Sequence, residues 1–228
     1  MSSAPQPQLQ RRNETYTRLG VIGDIHTRAD RLEWALRVLK QQEVECILAT
    51  GDMVDGPQPE AVARVCELLL HHQVICVLGN HDRWFLDKQH RDLTEATFPE
   101  DVSRAAREFL LSLPLSVELE TTHGKLLLGH GLGSNDMTCL YPYDHGPSLQ
   151  SNTTLQAILR AQQYRYVISG HTHMRMLREI AGVTFINAGA LHYTHEPCCL
   201  LLDFQKQQAQ FFEHADDALL HRGPKLSL

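Results

Sequence analysis

Five short apolar runs punctuate the chain, and each stops at a glycine followed closely by Asp, Asn or His. Val21-Ile22 leads into Gly23-Asp24-Ile25-His26, Ile47-Leu48-Ala49 into Gly51-Asp52-Met53-Val54-Asp55, and Val74–Leu78 into Gly79-Asn80-His81-Asp82. Further on, Leu126–Leu128 precedes Gly129-His130-Gly131, and Val167-Ile168 precedes Gly170-His171-Thr172-His173. Apolar stretches of this length, bounded by glycine, predict buried strands. Between the first three lie helical patterns. Thr27 and Asp30 offer a capping signal for a helix with Leu32, Leu36 and Leu39 on one face and Trp34 to the side. Pro57 and Pro59 introduce a second helix through Val62, Val65, Cys66 and Leu69. Strand-helix-strand-helix-strand order favours parallel pairing with right-handed crossovers.

After His81 the pattern changes. Residues 83–112 read as mostly helical, interrupted at Pro99, with Phe109-Leu110-Leu111 packing inward. Ser116–Glu120 and Lys125–Leu128 predict a hairpin around Thr121-Thr122-His123-Gly124. Residues 132–151 form an irregular loop, and a helix carries Leu155, Ile158 and Leu159. Strands are expected at 166–169, 175–180, 183–187, 198–204 and 209–213. The five polar clusters span residues 23–173, so a boundary inside that span would divide them. The chain of 228 residues, 43% of them hydrophobic, is therefore expected to hold one domain over 18–214. Residues 1–17, rich in Gln, Pro and Arg, are expected to be a disordered tail, and 215–228 a polar, frayed one.

Composition narrows the function. The net charge of −6 provides no broad basic field, which argues against long nucleic acid as a partner, while a small anionic phosphoester remains compatible with a local cationic site. The six cysteines show no C-x-x-C pair and read as reduced core thiols. No signal peptide or run of transmembrane length is present, so a cytoplasmic protein without membrane contact is expected.

The clusters suit one chemistry. Hydrolysis of a phosphoester at neutral pH needs a strong nucleophile and neutralisation of developing charge, and two divalent ions about 3.5–4 Å apart supply both. Asp24, His26, Asp52, Asn80, His130, His171 and His173 are the candidate ligands: three oxygen donors, four imidazoles and no thiolate. That set suits Mn, Fe, Zn, Ni or Co better than Mg or Ca, with Mn the first choice. For Asp24 and His26 to converge, the chain must bend after Gly23, and likewise after Gly170 for His171 and His173. A single D-x-H or H-x-H would ordinarily be surface polarity, but all of them at strand ends in one chain would not.

The set Asp24-x-His26, Gly51-Asp52-x-x-Asp55, Gly79-Asn80-His81-Asp82, His130 and Gly170-His171-x-His173 closely resembles the pattern of the calcineurin-like metallophosphoesterase superfamily. The resemblance covers residues 20 to about 192. It implies an α/β (α+β) fold, a four-layer αββα sandwich with the metals at strand C-terminal ends. It further implies that Asp24, His26 and His173 hold one metal, that Asn80, His130 and His171 hold the other, and that Asp52 bridges them. His81 would assist the leaving group, oriented by Asp55, and a metal-bridging hydroxide would attack phosphorus. Asp82 is expected to make local hydrogen bonds. In the Ser/Thr protein phosphatase branch an arginine follows the second motif and grips the phosphate. Here Gly56 stands in its place, leaving Arg28 and Arg83 as candidate substrate contacts. Ile186-Asn187-Ala188-Gly189-Ala190 resembles the "NPGS" stretch of the small bacterial and archaeal phosphodiesterase-like branch.

The expected function is thus a dinuclear metal-dependent phosphodiesterase acting on small or nucleotide-like substrates. The alternatives are a phosphomonoesterase acting on nucleotides or phosphoproteins, a nuclease, and a catalytically silent scaffold. His145, His192 and His195 read as loop histidines first and substrate contacts second, and Tyr141 and Tyr143 as packing residues or a stacking platform.

Overall fold

The computed structural model describes residues 14–192, 196–215 and 221–228. In chain order its strands are β1 (Thr15–Tyr16), β2 (Arg18–Ile22), β3 (Cys46–Ala49), β4 (Ile75–Cys76), β5 (Ser116–Thr121) and β6 (Gly124–Gly129). They continue as β7 (Tyr166–Ser169), β8 (Met176–Ile180), β9 (Val183–Asn187), β10 (Cys198–Asp203), β11 (Gln208–Glu213) and β12 (His221–Ser227). Two six-stranded sheets result, ordered β1-β5-β6-β7-β9-β8 and β12-β11-β10-β2-β3-β4. The helices are α1 (Ala29–Gln41), α2 (Val62–His71), α3 (Asn80–Leu86), α4 (Arg104–Leu111), α5 (Pro147–Ser151) and α6 (Thr153–Ala161).

Alternation along the strands builds four layers. Leu126 and Leu128 of β6 enter the core between the sheets, where they join Leu48 and Leu200 from the opposite sheet. Leu127 points the other way, into a cluster with Leu155 and Ile158 of α6. On β3, Ile47 and Ala49 turn outward to meet Leu36, Leu39 and Leu69 of α1 and α2, while Cys46 and Leu48 turn inward. Strands buried on both faces carry continuous apolar runs rather than alternation with polar residues, which is the pattern seen in the chain. The order is helix, sheet, sheet, helix, as the resemblance implied.

Parallel pairing of β2 with β3 and β3 with β4, and of β6 with β7 and β7 with β9, carries the strand ends toward one edge. There a parallel bridge joins Asp24, which follows β2, to Ala190, which follows β9, and the Leu191 N–H donates to the Asp24 carbonyl at 2.8 Å. The two sheets are therefore stitched together where the polar clusters emerge.

The structure departs from expectation in several places. The third strand is shorter than expected, because after Cys76 the chain leaves the ladder and the Leu78 N–H donates to the Pro114 carbonyl at 2.8 Å. The stretch 83–112 is helical only at its ends: α3 stops at Leu86, and a long loop precedes the 3₁₀ turn Pro99–Asp101 and α4. Thr15 and Tyr16, expected in a tail, pair in parallel with β5, and the Tyr16 ring is buried between the sheets. The C-terminal segment is ordered too, since β12 pairs antiparallel with β11 through backbone groups that are indifferent to side-chain polarity. Residues 1–13 and 216–220 of the expected tails lie outside the described residues.

Candidate metal centre

Each candidate ligand sits just beyond a strand. Asp24 and His26 follow β2, Asp52 follows β3, Asn80 opens α3 after β4, His130 follows β6, and His171 and His173 follow β7. His26, Asp52, Asp55, His171 and His173 adopt φ of 46°, 51°, 54°, 64° and 57°. Left-handed backbone at non-glycine residues is costly and tends to collect at functional sites. Sharp bends thus lie in the candidate residues themselves, and before Asp52 the glycine bends as well, with Gly51 at φ 105°. Gly170 has a different reason: a Cβ there would stand 2.1 Å from Asp24 Oδ1, so only glycine lets the two loops close.

The seven side chains meet in two groups that share Asp52. In the first, His26 Nε2 lies 3.1 Å from His173 Nε2, and His173 Nε2 lies 3.1 Å from Asp24 Oδ2. In the second, Asn80 Oδ1 lies 2.7 Å from His130 Nε2 and 2.8 Å from His171 Nδ1, with the two ring nitrogens 3.3 Å apart. Asp52 Oδ2 is 3.7 Å from His26 Nε2 and 3.3 Å from His130 Nε2. Its other oxygen accepts the His81 backbone N–H at 2.9 Å, which fixes the carboxylate between the groups.

This arrangement fits divalent cations. His26 Nδ1 donates to the Asp55 carbonyl at 2.6 Å and His130 Nδ1 to the Thr50 carbonyl at 2.8 Å, which turns both Nε2 lone pairs toward the cluster. Lone pairs converging within such distances need a positive charge between them. Asp24 Oδ2 is buried and has no well-aligned hydrogen bond among the described residues. Asp24, His26, Asp52 and His173 each present one donor atom within 4.8 Å of the others, a group able to hold a metal ion. The electrostatics of the protein alone agree. Burial, and after it the neighbouring Asp24 carboxylate, raises the Asp52 pKa well above the usual range. Burial and His173 push His26 down to about 3, and burial and His130 push His171 down to about 4. For Asp24 burial works upward, but His173 and His130 outweigh it and hold the carboxyl low.

His81 stands outside the ligand set. Its Nδ1 donates to Asp55 Oδ2 at 2.9 Å, and its ring lies 5.0 Å from that of His26. Asp82 Oδ1 accepts from the Met53 and Val54 N–H groups at 2.8 and 3.2 Å, and Oδ2 from that of Gly79 at 3.0 Å. Only the bond from Gly79 is the local one expected of it; the other two are long-range and clamp the Asp52 loop to the start of α3.

Of the candidate substrate contacts, Arg28 donates to both Asp30 oxygens at 3.0 and 2.6 Å, and Arg83 to both Asp136 oxygens at 2.6 and 3.2 Å. Neither lines the cavity beside His81. Gly56 is enclosed: a Cβ would stand 2.1 Å from the His26 carbonyl oxygen, so a side chain at this position would require the backbone to move. His192 joins the site, with its ring centroid 5.2 Å from that of His26 and its Nε2 3.2 Å from Glu95 Oε2. His145 hydrogen-bonds the Tyr143 carbonyl within its own loop, Tyr141 and Tyr143 stack at 5.2 Å, and His195 lies outside the described residues.

One participant escaped the sequence reading. Arg91, on the loop after α3, donates to Asp55 Oδ1 at 2.8 Å, to Asp55 Oδ2 at 2.9 Å and to the Thr97 carbonyl at 2.7 Å. Asp55 also accepts the Thr97 N–H at 2.8 Å. Burial would raise the Asp55 carboxyl, but the bonds from His81 and Arg91 outweigh it and hold its pKa low. Arg91 gave no signal of its own, since residues 83–112 read as mostly helical.

Comparison with known proteins extends these observations. Residues 18–207 match the model of the calcineurin-like phosphoesterase superfamily domain. A phosphodiesterase of Methanocaldococcus jannaschii is 24% identical over 195 residues, covering 84% of this chain and 95% of that protein. Among solved structures, a hypothetical protein from Pyrococcus horikoshii superposes with a TM-score of 0.71 at 17% identity, covering 88% of this chain and 89% of the other. A metallophosphoesterase from Sphaerobacter thermophilus gives 0.65 at 19% identity with the same coverages. At these identities the structural likeness is one of fold.

Proposed function

The chain belongs to the calcineurin-like phosphoesterase superfamily and is a phosphoester hydrolase, and on that premise we propose that it is a dinuclear phosphodiesterase for small or nucleotide-like diesters. Asp24, His26 and His173 would hold one divalent cation and Asn80, His130 and His171 a second, with Asp52 placed to serve both. The observation that carries this reading is Asp52 Oδ2, within 3.7 Å of His26 Nε2 and 3.3 Å of His130 Nε2. When bound, the cations supply Lewis acidity, which gives a nucleophile usable at neutral pH and neutralises phosphoryl charge. The mixed oxygen and imidazole donors suit manganese first, with iron, zinc, nickel and cobalt as the other fitting ions.

The remaining steps belong to the protein. His81, with Nδ1–H donated to Asp55, delivers a proton from Nε2 to the departing oxygen. Asp55 fixes the ring and its tautomer, and Arg91 and Thr97 in turn fix Asp55. Preference for a diester is supported by the cavity beside His81, where no lysine or arginine is among the described lining residues. A monoester dianion benefits from a guanidinium fork, whereas a diester carries one charge that the cations can meet. The phosphomonoesterase alternative requires Arg28 or Arg83 to leave its carboxylate partner. The test is turnover of aryl diesters, aryl monoesters and cyclic nucleotides by the manganese-reconstituted protein. Diesters should lead; equal or faster turnover of monoesters overturns the preference, and turnover of neither ester class overturns the hydrolytic reading.

A further inference from the structure

A cavity of about 200 Å³ opens on the outer face of the sheet that contains β2, apart from the one beside His81. Leu201 of β10 and Phe212 of β11 line it from the sheet, and Gln42, just past the end of α1, lines it from the helix layer. Arg18, Lys206, Arg222 and Lys225 bring four cations to it, against one carboxylate among the described lining residues, that of Asp203. In a chain of net charge −6 this concentration runs against the average. Asp203 is already engaged: Oδ1 accepts the Lys206 backbone N–H at 3.0 Å, and Oδ2 lies 3.4 Å from both Arg18 Nε and Lys206 Nζ. Arg222 and Lys225 have no carboxylate partner among the described residues. Arg18 opens β2 and Asp24 follows its other end, so a rise of about 3.3 Å per residue places the cavity roughly 20 Å from the metal centre.

The backbone gathers two of these cations. Positions 222 and 225 differ by an odd number, so a regular strand would point their side chains to opposite faces. Against β11 they share one: Arg222 pairs with Phe212 and Lys225 with Gln210, because the register shifts between those two pairs. The shift inserts one extra residue, as a β-bulge does, and bulges re-aim side chains. Gln210 pins it, its side-chain amide donating to the Gly223 and Phe211 carbonyls at 2.8 Å each. A concavity lined by one sign of charge focuses the field and concentrates counter-ions.

We propose that this cavity binds a compact polyanion with two adjacent phosphoryl groups, either as inorganic pyrophosphate or as the diphosphate end of a larger metabolite. The site stands apart from the hydrolytic reading and does not depend on it. Its size is below that of pockets which enclose a whole drug-sized ligand, about 300–1,000 Å³. A phosphoryl group carries about −1.5 to −2 at pH 7, so two adjacent groups answer the surplus of cations over Asp203 and one group does not.

The test is titration calorimetry of the full-length chain, dialysed free of metal so that no cation at the cluster holds the anion, with folding checked by circular dichroism. Wild type should bind one pyrophosphate per chain, and orthophosphate about tenfold less tightly. R222Q/K225Q should weaken pyrophosphate about tenfold or more, and K206Q, which lies outside β12 and keeps the test open if the double variant unfolds, about threefold. K125Q/R160Q removes the same charge from the other sheet and its helix layer and should leave the affinity within about twofold. Absence of saturable binding by wild type at millimolar pyrophosphate overturns the proposal. So do orthophosphate bound as tightly as pyrophosphate, unchanged affinity in folded K206Q and R222Q/K225Q, and equal losses in the two double variants, which would leave only long-range attraction. ADP separates the two sources: binding at least as tight as pyrophosphate supports the diphosphate end of a larger metabolite, and weaker binding supports the free anion.

Discussion

Replacing Arg91 with methionine isolates the support behind His81. The guanidinium makes two bonds to Asp55 at 2.8 and 2.9 Å and reaches the Thr97 and Gln89 carbonyls at 2.7 Å each. The Arg91 and Asp55 side chains are 16% and 3% exposed, so the pair is close to buried. Removing one partner of a buried ion pair costs about 3–5 kcal/mol, because the surviving charge is left uncompensated. Asp55 would keep the bonds from His81 and the Thr97 N–H, which places the expected loss near the lower end, about 3 kcal/mol. With Asn at position 55 no stranded charge remains, and Arg91→Met should then cost only about 1 kcal/mol in lost neutral hydrogen bonds. The difference, about 2 kcal/mol, is the coupling that a double-mutant cycle reads. Urea unfolding of wild type, R91M, D55N and the double variant in chelator at pH 7 measures it, with metal linkage removed from the comparison. A coupling below about 0.5 kcal/mol would mean that the two side chains act independently, and the account of Arg91 as the anchor of Asp55 would be refuted.

Further expectations concern the cluster directly. Asp52→Asn should lower bound manganese from about two ions per chain to about one and reduce kcat/KM by about 10²–10³-fold. The metal-free variant should remain at least as stable as wild type, since burial, Asp24 and Asp82 all disfavour the ionised carboxyl that the neutral amide replaces; two bound ions with unchanged turnover would contradict the bridging role. His81→Ala should reduce kcat/KM by about 10²–10³-fold with metal content unchanged, and by more for alkyl than for nitrophenyl leaving groups; an equal loss for both would remove the proton-donor role. Cation binding should release protons at pH 7. The His173 pKa is raised, because the adjacent Asp24 carboxylate outweighs burial, and that of Asp52 is raised by burial first, so ligation competes with protons at both groups. Affinity should therefore weaken as pH falls from 8 to 6, with about one proton or more released per chain in calorimetry across buffers of differing ionisation enthalpy. Absence of release would place these groups outside the binding step.

The strands and candidate ligands were legible because their causes are local. A strand buried on both faces must be apolar throughout, and one that ends at a crowded edge must stop at a small residue before it turns. Other features depend on partners distant along the chain. β1 exists because β5, a hundred residues away, accepts it, and β12 because β11 leaves an open edge. The left-handed conformations of His26, His171 and His173 lie after Gly23 and Gly170, where bends were expected, but a sequence shows where flexibility is allowed and not which residue is forced to bend. Gly170 is small to admit Asp24, a tertiary contact with no local trace. Arg91 and Glu95 are the extreme case. Their loop has neither a helical nor a strand period, and its course is set by the buried charge of Asp55. The candidate ligands arrive at the ends of regular elements and carry a pattern, whereas residues around His81 and Asp55 are placed by one carboxylate and carry none. Altering the 87–98 loop should therefore change the surroundings of His81 while the cluster stays intact.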